Sequence, residues 1–419
     1  MPSAAALGYP ERARSRGLAF VPMTRTLAPL TLADRMSRLG TETAFEVLAK
    51  AKALEAKGKD IIHLEIGEPD MDTPANIVEA GVKALREGYT HYGPAAGLPE
   101  AREVVADYVG RTRGIECGAD EVVIVPGGKP TMFYAILGLV NAGDEVIYPN
   151  PGFPIYESMI RFVGGVPVSC PIREENAFAL DPQDVISRIT PKTKMVVLNS
   201  PANPTGGVTG KAELEQICAE LKKHPDIWIL SDEIYSRMLY DDAEHFSPLS
   251  DPELRDRIIL LDGWSKTYAM TGWRLGFGVM RPDLAAQFAK LMVNSNSCSA
   301  AFTQRAGMEA LTGDQSPVEA MLAEFDKRRK LIVELANSVP GMTCHLPVGA
   351  FYIMPNIKQT GRSAKELQDM LLEDAGVASL AGTAFGAEGE GYLRFSYANS
   401  PENIERAFDR IRECFAKLS

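Results

Sequence analysis

The stretch IILLDGWSKTYAMTGWRLGFG, residues 258–278, decides the fold prediction for this chain. It opens with an apolar, partly β-branched run and then changes to glycines, small polar residues and aromatics. A short apolar run that gives way to glycine and small polar residues predicts a buried strand followed by a loop. Such a strand would carry Lys266, the only lysine in the stretch, to the end of a buried element.

Similar apolar runs recur along the chain, and segments with helical patterns separate them. The runs are EVVIV (121–125), EVIYP (145–149), MVVLN (195–199) and IWILSDEIY (227–235). Strands that are apolar throughout and alternate with helices are typical of a parallel sheet buried on both faces, so the expected fold class is α/β. After about residue 305, charged helical patterns mix with short strand-like runs, which predicts a second, α+β unit.

The two ends of the chain have predicted elements of their own. Thr43 and Glu46 have the spacing of a capping box and Gly58 is a stop signal, so a helix is expected between them. A strand that ends in a turn is expected over residues 61–70, IIHLEIGEPD. The pair Ser400–Pro401 predicts the start of a last helix, because proline is favoured at the first helical position.

Polar residues collect at the carboxyl ends of the predicted strands. Open α/β sheets bind their ligands at that edge, so these residues are expected to face one site. They are Gly127–Lys129, Asn199–Asn203, Asp232 and Ser265–Lys266.

Two cations and a glycine-containing turn point to a phosphate-bearing ligand. Desolvation lowers the pKa of a lysine, so Lys266 could form a Schiff base, with an ordinary exposed lysine as the alternative. Arg274 suits bidentate phosphate binding, with a structural ion pair as the alternative. The segment PGGKP (126–130) lies between a strand and a helix, where backbone amides bind phosphate, and a plain tight turn is its alternative.

Asp232 ends a strand, so its carboxylate would be partly buried and would need a cationic partner. That partner could be a protonated heterocycle nitrogen, or the carboxylate could form a salt bridge within the protein. Asn203 and Tyr235 could each hydrogen-bond a ligand oxygen. The prolines of SPANP (200–204) would hold Asn203 rigidly.

Composition narrows the function classes. The chain has 419 residues and a formal net charge of −11, from 44 basic and 55 acidic residues, which argues against a nucleic-acid binder. Its six cysteines are far apart, so neither a zinc site nor a disulfide framework is indicated, and scattered thiols fit a cytoplasmic location. No apolar run approaches ~18 residues, so no transmembrane helix is expected. The five histidines share no ligand spacing, and no metal site is predicted.

The motifs PGGKP, NSPANPTG, SDEIY, SKTYAMTGWRLG and LRFSYA follow one another in an order that resembles the class I pyridoxal-phosphate aminotransferases of fold type I, most of all the bacterial aspartate aminotransferases. The resemblance covers about residues 30–419. It implies a large cofactor-binding domain, residues 73–305, whose mostly parallel central sheet is wrapped by helices, and a smaller α+β domain, residues 306–419. Residues 31–72 would be an N-terminal arm of the small domain, and residues 1–30 a disordered extension.

The resemblance also implies the chemistry of the site. Lys266 matches the lysine that holds pyridoxal 5'-phosphate as an internal aldimine and then moves a proton as general base and acid. Asp232 matches the aspartate that keeps the pyridine nitrogen protonated. Asn203 and Tyr235 match the pair that hydrogen-bonds the ring hydroxyl oxygen, and Phe153 matches the aromatic that stacks on the ring.

The resemblance implies a separate set of contacts for the phosphate of the cofactor. Tyr92 matches a tyrosine that reaches the phosphate of the partner subunit, which implies a homodimer with shared active sites. Two positions depart from the family pattern: Pro130 lacks a free amide, and Gly263 stands where many relatives have a phosphate-binding serine. The other expected phosphate contacts are the amides of Gly128 and Lys129, together with Ser265 and Arg274.

For the substrate, the resemblance implies that Arg394 takes the α-carboxylate in a bidentate pair, with Gly67 near it and Asn199 in support. Lys129 matches a lysine that binds the side-chain carboxylate in some bacterial relatives, which favours aspartate and glutamate. The alternative is that Lys129 belongs to the phosphate loop alone. The amino group would pass to a 2-oxo acid such as 2-oxoglutarate.

Other functions remain possible on the same scaffold, because fold does not determine reaction. One is a β-lyase or cyclising synthase, and another is an aminotransferase for alanine, aromatic or aminoadipate substrates. A third is the effector module of a transcriptional regulator, but the segment before Thr43 is short for a DNA-binding domain and the net charge is unfavourable.

Overall fold

The computed structural model describes residues 29–417. The expected extension, residues 1–30, lies outside the described residues except for its last two positions. Within residues 29–417 the α-helices are α1 (Thr43–Glu55), α2 (Ala75–Arg86), α3 (Pro99–Arg113), α4 (Lys129–Leu139), α5 (Ile155–Val163), α6 (Pro182–Ile186), α7 (Lys211–Leu221), α8 (Pro282–Ser295), α9 (Ala301–Thr312), α10 (Ser316–Asn337), α11 (Ala364–Met370) and α12 (Pro401–Phe415). The strands of the same residues are β1 (Ile62–His63), β2 (Val122–Val125), β3 (Glu145–Asn150), β4 (Val166–Pro171), β5 (Thr193–Asn199), β6 (Trp228–Asp232), β7 (Ile258–Gly263), β8 (Gly276–Val279), β9 (Tyr352–Ile353), β10 (Val377–Ala378), β11 (Leu380–Ala381) and β12 (Leu393–Ser396).

The central sheet has seven strands in the order β2-β8-β7-β6-β5-β3-β4. Strands β3 to β7 pair in parallel, whereas β8 is antiparallel to both of its neighbours. The predicted α/β fold with a mostly parallel sheet is therefore confirmed. In the β5–β6 register Asn199 lies opposite Asp232, so the carboxyl ends of these two strands meet at one edge.

Both faces of the central sheet are covered, as apolar strands require. Every residue of β2 and of β7 is buried. Alternate side chains of β7 enter two separate core clusters: Ile258 and Leu260 pack into one, and Ile259 and Leu261 into the other. The seven strands therefore lie between two helical layers.

A smaller α+β region joins the two ends of the chain. Strand β1 pairs in parallel with β10, and a three-stranded antiparallel sheet has the order β11-β12-β9. Helices α10 and α12 pack on these strands and share their apolar core. The pairing of Leu380 with Arg394 across β11 and β12 fixes the position of Arg394 in this region.

Several local predictions differ from the structure. The prediction of a capping box at Thr43 and Glu46 is wrong, because the N-cap residue of α1 is Glu42 and no side chain caps the start of the helix. The strand predicted over residues 61–70 is limited to Ile62–His63, since its partner β10 has two residues. Strands β4 and β8 were not predicted; two of the four residues of β8 are glycine, and the strand lies at the end of the motif that follows Lys266.

The start of the last helix is as predicted. Ser400 is the N-cap of α12, and its hydroxyl accepts a hydrogen bond from the backbone amide of Asn403 at 3.2 Å.

Within residues 29–417, no helix combines the length and the apolarity needed to cross a membrane. In that same part of the chain, His, Cys, Asp and Glu side chains form no group of three or more that could hold a metal ion.

Candidate active site

A cavity of about 520 Å³ opens at the carboxyl edge of the central sheet, between that sheet and the smaller region. It brings together residues that lie more than 300 positions apart in the sequence. Tyr92 does not line it and is 90% exposed in the single chain. The predicted site residues that do line it are Gly67, Gly128, Lys129, Phe153, Asn199, Asn203, Asp232, Tyr235, Ser265, Lys266, Arg274 and Arg394.

Lys266 follows β7 by three residues and projects into this cavity. Its ammonium donates a hydrogen bond to the carbonyl oxygen of Gly67 at 2.5 Å. Burial lowers the pKa of Lys266 to about 8, while the carboxylate of Glu68 acts in the opposite direction. A lysine with this pKa is partly neutral near physiological pH, and a neutral amine is a nucleophile and a base.

Asp232, the last residue of β6, faces the same cavity from a buried position. Burial raises its pKa to about 6, against hydrogen bonds that favour the ionised form. The strongest of these comes from the hydroxyl of Tyr156, which donates to Oδ2 of Asp232 at 2.6 Å. Tyr156 lies on α5, directly after the NPGFP segment, and sequence reasoning missed it because no motif joins α5 to β6.

A second charged group lies next to Asp232 in sequence, but it faces a different network. Arg113 bridges two buried carboxylates, with 3.0 Å from Nε to Oε2 of Glu233 and 2.8 Å from Nη2 to Oδ2 of Asp262. Burial alone would raise the pKa of Glu233, but His245 and Arg113 lower it to about 2. The charge of Glu233 is therefore balanced locally, and Asp232 is the buried carboxylate that lines the cavity.

Arg394 closes the other end of the cavity. The guanidinium lies 4.5 Å from the ring centroid of Tyr352 and 4.9 Å from that of Phe385. Its Nη1 donates to Oδ1 of Asn203 at 3.3 Å, and its Nη2 donates to the carbonyl oxygen of Glu65. Its Nε is buried and has no hydrogen-bond partner among residues 29–417. A buried, unpaired guanidinium donor is costly, and a carboxylate ligand would satisfy it.

The amides and hydroxyls near Arg394 are already organised. Asn199 donates from Nδ2 to the carbonyl oxygen of Asp232 at 3.1 Å and accepts at Oδ1 from the backbone amide of Asn203. The hydroxyls of Tyr235 and Tyr352 are 2.7 Å apart and hydrogen-bonded. Tyr352 comes from β9, far along the chain from Tyr235, and sequence reasoning did not select it.

Arg274 and the PGGKP segment form a narrow cradle. Gly127 has φ +84°, and a Cβ at this position would overlap Nη2 of Arg274. Arg274 itself has φ +54°, an uncommon conformation for a non-glycine residue, and Nη1 donates to the carbonyl oxygen of Thr271 at 2.7 Å. Helix α4 begins at Lys129, Pro130 has no amide hydrogen, and the amide of Thr131 donates to the carbonyl oxygen of Gly128 at 3.1 Å. The backbone amides left for a phosphate at this helix start are those of Gly128 and Lys129, which both line the cavity.

Gly263, which departs from the family pattern, is explained by close packing. A Cβ at Gly263 would lie 2.9 Å from Cα of Gly276 on the paired strand β8. A serine there would force β7 and β8 apart. Ser265, two residues further on, lines the cavity and supplies a hydroxyl at this end.

Lys129 occupies the mouth of the cavity. Its ammonium lies 5.5 Å from the ring centroid of Phe153 and 6.0 Å from that of Phe45, and it forms an ion pair with the carboxylate of Glu42. Glu42 and Phe45 belong to the start of α1, which therefore borders the site. The sequence contained no signal for this contact beyond the position of the helix.

The amino-acid sequence that builds this cavity matches a family of known proteins. The model of the family described as "Aminotransferase class I and II" matches residues 59–411. The chain belongs to this family. It is a pyridoxal-phosphate-dependent aminotransferase, as the order of its motifs predicted.

Individual relatives resemble this aminotransferase over nearly its whole length. The aspartate aminotransferase of Pyrococcus horikoshii is 41% identical over 385 residues, which cover 91% of this chain and 96% of that protein. A probable aspartate/prephenate aminotransferase of Aquifex aeolicus is 40% identical over 394 residues, which cover 92% of this chain and 99% of that protein. The solved structure of the Thermus thermophilus aspartate aminotransferase with maleate has a TM-score of 0.88 and 35% identity, covering 92% of this chain and 100% of that chain.

The donor set of the aminotransferase cavity fits pyridoxal phosphate. The cradle around Gly127 has no room for a side chain, so backbone amides and the Arg274 guanidinium can approach a phosphate closely. Asp232 offers a buried carboxylate for a protonated ring nitrogen, and Lys266 offers an amine for the aldehyde. The unpaired Nε of Arg394 leaves one donor for the carboxylate of an amino acid.

Proposed function

We propose that this aminotransferase takes the amino group of L-aspartate and passes it to a 2-oxo acid such as 2-oxoglutarate. One observation carries the proposal: the cavity has a cation at each end, a buried one in Arg394 and a half-exposed one in Lys129. A dicarboxylic amino acid presents two carboxylates, and each would meet one cation. The names of relatives at 37–41% identity, which are called aspartate aminotransferases, support the same substrate.

In this proposal Lys266 binds the cofactor covalently and then acts as general base and acid at the substrate α-carbon. Pyridoxal phosphate, when bound, supplies the electron sink that makes this carbon acidic. Asp232 keeps the ring nitrogen protonated from a buried position where Tyr156 holds it ionised. Asn203 and Tyr235 donate to the ring hydroxyl oxygen.

Two further groups of residues would hold the ligands in place. Phe153 packs against the face of the cofactor ring. At the substrate end Arg394 takes the α-carboxylate, with the Gly67 backbone beside it and Asn199 keeping Asn203 in position. The phosphate would be held by the amides of Gly128 and Lys129, the hydroxyl of Ser265, and Arg274.

The proposed assembly is a cytoplasmic homodimer in which Tyr92 reaches the phosphate of the neighbouring subunit. The exposure of Tyr92 in the single chain supports this role, since a tyrosine at 90% exposure is available to a partner. We further propose that residues 73–305 form the large domain, and that residues 31–72 and 306–419 form the small one. Closure of the small domain over substrate would exclude water from Lys266.

A half-reaction screen tests the substrate. The purified holoenzyme is mixed with aspartate, glutamate, alanine, tyrosine or aminoadipate, and the cofactor absorbance is followed over time. We expect aspartate and glutamate to react fastest, and Lys129→Met to slow them about 10- to 100-fold while alanine is unchanged. Faster reaction with alanine or tyrosine, or an equal loss for all substrates in the variant, would refute the assignment.

Sedimentation and cofactor titration test the assembly. The protein is expected to sediment as a dimer, and Tyr92→Phe is expected to weaken cofactor binding without changing the dimer. A monomer with full cofactor affinity would contradict the shared site.

A further inference from the structure

Glu42 holds a position that its sequence context does not explain. It is the N-cap residue of α1, yet its side chain caps no backbone amide of that helix. The carboxylate turns instead into the mouth of the cavity and forms an ion pair with the ammonium of Lys129. The Glu42 side chain is 17% exposed and that of Lys129 is 47% exposed, so the carboxylate is the more enclosed partner.

The charge of Glu42 also reaches the deeper cations. Burial lowers the pKa of both Lys266 and Arg394, and Glu42 is among the carboxylates that act against this lowering. It likewise contributes to the raised pKa of Tyr352, after burial. These effects on Lys266 and Arg394 act at long range, whereas Lys129 is the one cation within residues 29–417 that forms an ion pair with Glu42.

We propose that Glu42 is a specificity-determining residue that occupies the subsite for a substrate's side-chain carboxylate. The inference rests on the proposed function, since it takes Lys129 as the cation of that subsite. An acidic substrate has to displace Glu42 from Lys129, because two carboxylates on one ammonium repel each other. A substrate with a neutral side chain leaves the ion pair intact.

The consequence is a graded penalty against dicarboxylates. Lys129 alone would favour them, and Glu42 reduces that preference by supplying a competing carboxylate at high effective concentration. Because the pair is partly exposed, its loss is expected to change affinity by about fivefold. Glu42 therefore tunes the choice between acidic and neutral amino acids, and the start of α1 is the element that moves when an acidic substrate binds.

The test uses the holoenzyme and the variant Glu42→Gln, which keeps the size of the side chain and removes its charge. We expect maleate, a dicarboxylate, to bind about fivefold more tightly, and crotonate, a monocarboxylate of similar length, to bind as in the wild type. The dissociation constants are read from the cofactor spectrum at low ionic strength. Glu46→Gln is the matched control, because Glu46 lies on α1 but is exposed and does not line the cavity.

The ratio of kcat/KM for aspartate over alanine is measured in the same variants. It is expected to rise about fivefold in Glu42→Gln and to stay constant in Glu46→Gln. In a Lys129→Met background the Glu42→Gln change is expected to have no effect on either measurement. An equal effect on maleate and crotonate, weaker maleate binding, or an effect that persists without Lys129 would overturn the inference.

The two proposals fail in different ways. If the wild-type enzyme does not react with aspartate, the proposed substrate is wrong, whereas the maleate and crotonate binding comparison still decides the role of Glu42. If aspartate reacts fastest but Glu42→Gln leaves the maleate affinity unchanged, the substrate proposal stands and the inference about Glu42 is wrong.

Discussion

The ammonium of Lys266 donates a 2.5 Å hydrogen bond to the carbonyl oxygen of Gly67, across 199 residues of sequence. Lys266 follows a strand of the central sheet, and Gly67 lies in the segment that follows β1 of the smaller region. The reactive amine is therefore held by a backbone group of the part of the chain that we expect to move. This contact couples the position of Lys266 to the position of the smaller region.

Replacing Lys266 by methionine is expected to stabilise the cofactor-free protein at pH 7. Burial lowers the pKa of Lys266 from 10.5 to about 8, so below pH 8 the folded state holds an ammonium that the unfolded chain solvates better. This lowering of the pKa corresponds to a destabilisation of the folded wild type by roughly 3 kcal/mol, which the methionine variant does not carry. The variant also lacks the hydrogen bond to Gly67, and this loss offsets about 1 kcal/mol of the gain. The variant should therefore unfold with a free energy about 2 kcal/mol higher, measured by urea denaturation.

The pH dependence provides the check on this prediction. Between pH 8 and 10.5 the unfolded wild-type chain keeps a proton on Lys266 that the folded state has released, so wild-type stability rises with pH in that window. The methionine variant lacks this contribution, and the difference should shrink toward pH 10. A variant that is less stable than the wild type at both pH 7 and pH 10 would contradict the prediction.

Arg394→Lys is expected to lower kcat/KM by about 100-fold for every amino acid tested, whatever its side chain. Lysine keeps the charge but loses the planar fork, and it cannot reproduce the donation from Nη1 to Asn203 together with a bidentate pair. Steady-state measurements of kcat/KM for aspartate and alanine in the wild type and in Arg394→Lys test this prediction. A loss confined to aspartate would place Arg394 at the side-chain carboxylate instead.

Tyr156→Phe is expected to weaken cofactor binding and to shift its pH dependence. The Tyr156 hydroxyl favours the ionised form of Asp232, whose pKa burial raises to about 6, so its removal raises that pKa further. In the wild type, affinity should fall as the pH drops through about 6, and in the variant the same loss should begin at higher pH. Fluorescence titration of the cofactor-free protein measures both curves.

Tyr148→Phe is the control for this effect. The Tyr148 hydroxyl donates to Glu157 at 2.9 Å, so the variant also loses a tyrosine hydroxyl bonded to a carboxylate, but not the one on Asp232. Identical pH curves for Tyr156→Phe and the wild type would show that the Tyr156 hydroxyl does not lower the pKa of Asp232.

Gly127→Ala is expected to reduce cofactor affinity by about 10-fold or more, because the new methyl group would overlap the Arg274 guanidinium and requires a left-handed backbone conformation. Gly138→Ala on the exposed side of α4 meets no atom within 4 Å and should leave the affinity unchanged. The dissociation constant of the cofactor is measured for both. Equal affinities in the two variants would mean that the cradle tolerates a side chain.

The parts of the fold that could be predicted were those whose pattern is local. The apolar runs of β2, β3, β5, β6 and β7 stand out because each strand is buried on both faces. Strand β8 was missed because glycine alternates with its two apolar residues, Phe277 and Val279, so that no continuous apolar run marks the strand. The two-residue strand β1 depends on β10, which is more than 300 residues away, so no local signal limits its length.

The same distinction applies to the site. Lys266 follows β7 and Asp232 ends β6 at one edge of the central sheet, and strand order brings these two residues together once that sheet is formed. Arg394 lies within β12 of the smaller region, so only the packing of that region on the central sheet brings it to the site. Tyr156 and Tyr352 could not be predicted, because each approaches its partner from a separate element, on α5 and β9. Glu42 was missed for a related reason: a capping pattern pointed to Thr43, but the helix begins one residue earlier than that pattern requires.

By itself, the sequence determined that Lys266 and Asp232 would lie at strand ends and that the order of the motifs is that of an aminotransferase, since residue type and strand burial are local properties. Only the tertiary structure decided which donors are already satisfied, that Tyr156 holds Asp232, and that Glu42 faces Lys129. Hydrogen bonds and ion pairs depend on distances of a few ångströms between elements, and those distances exist only after the sheet and the smaller region have packed together.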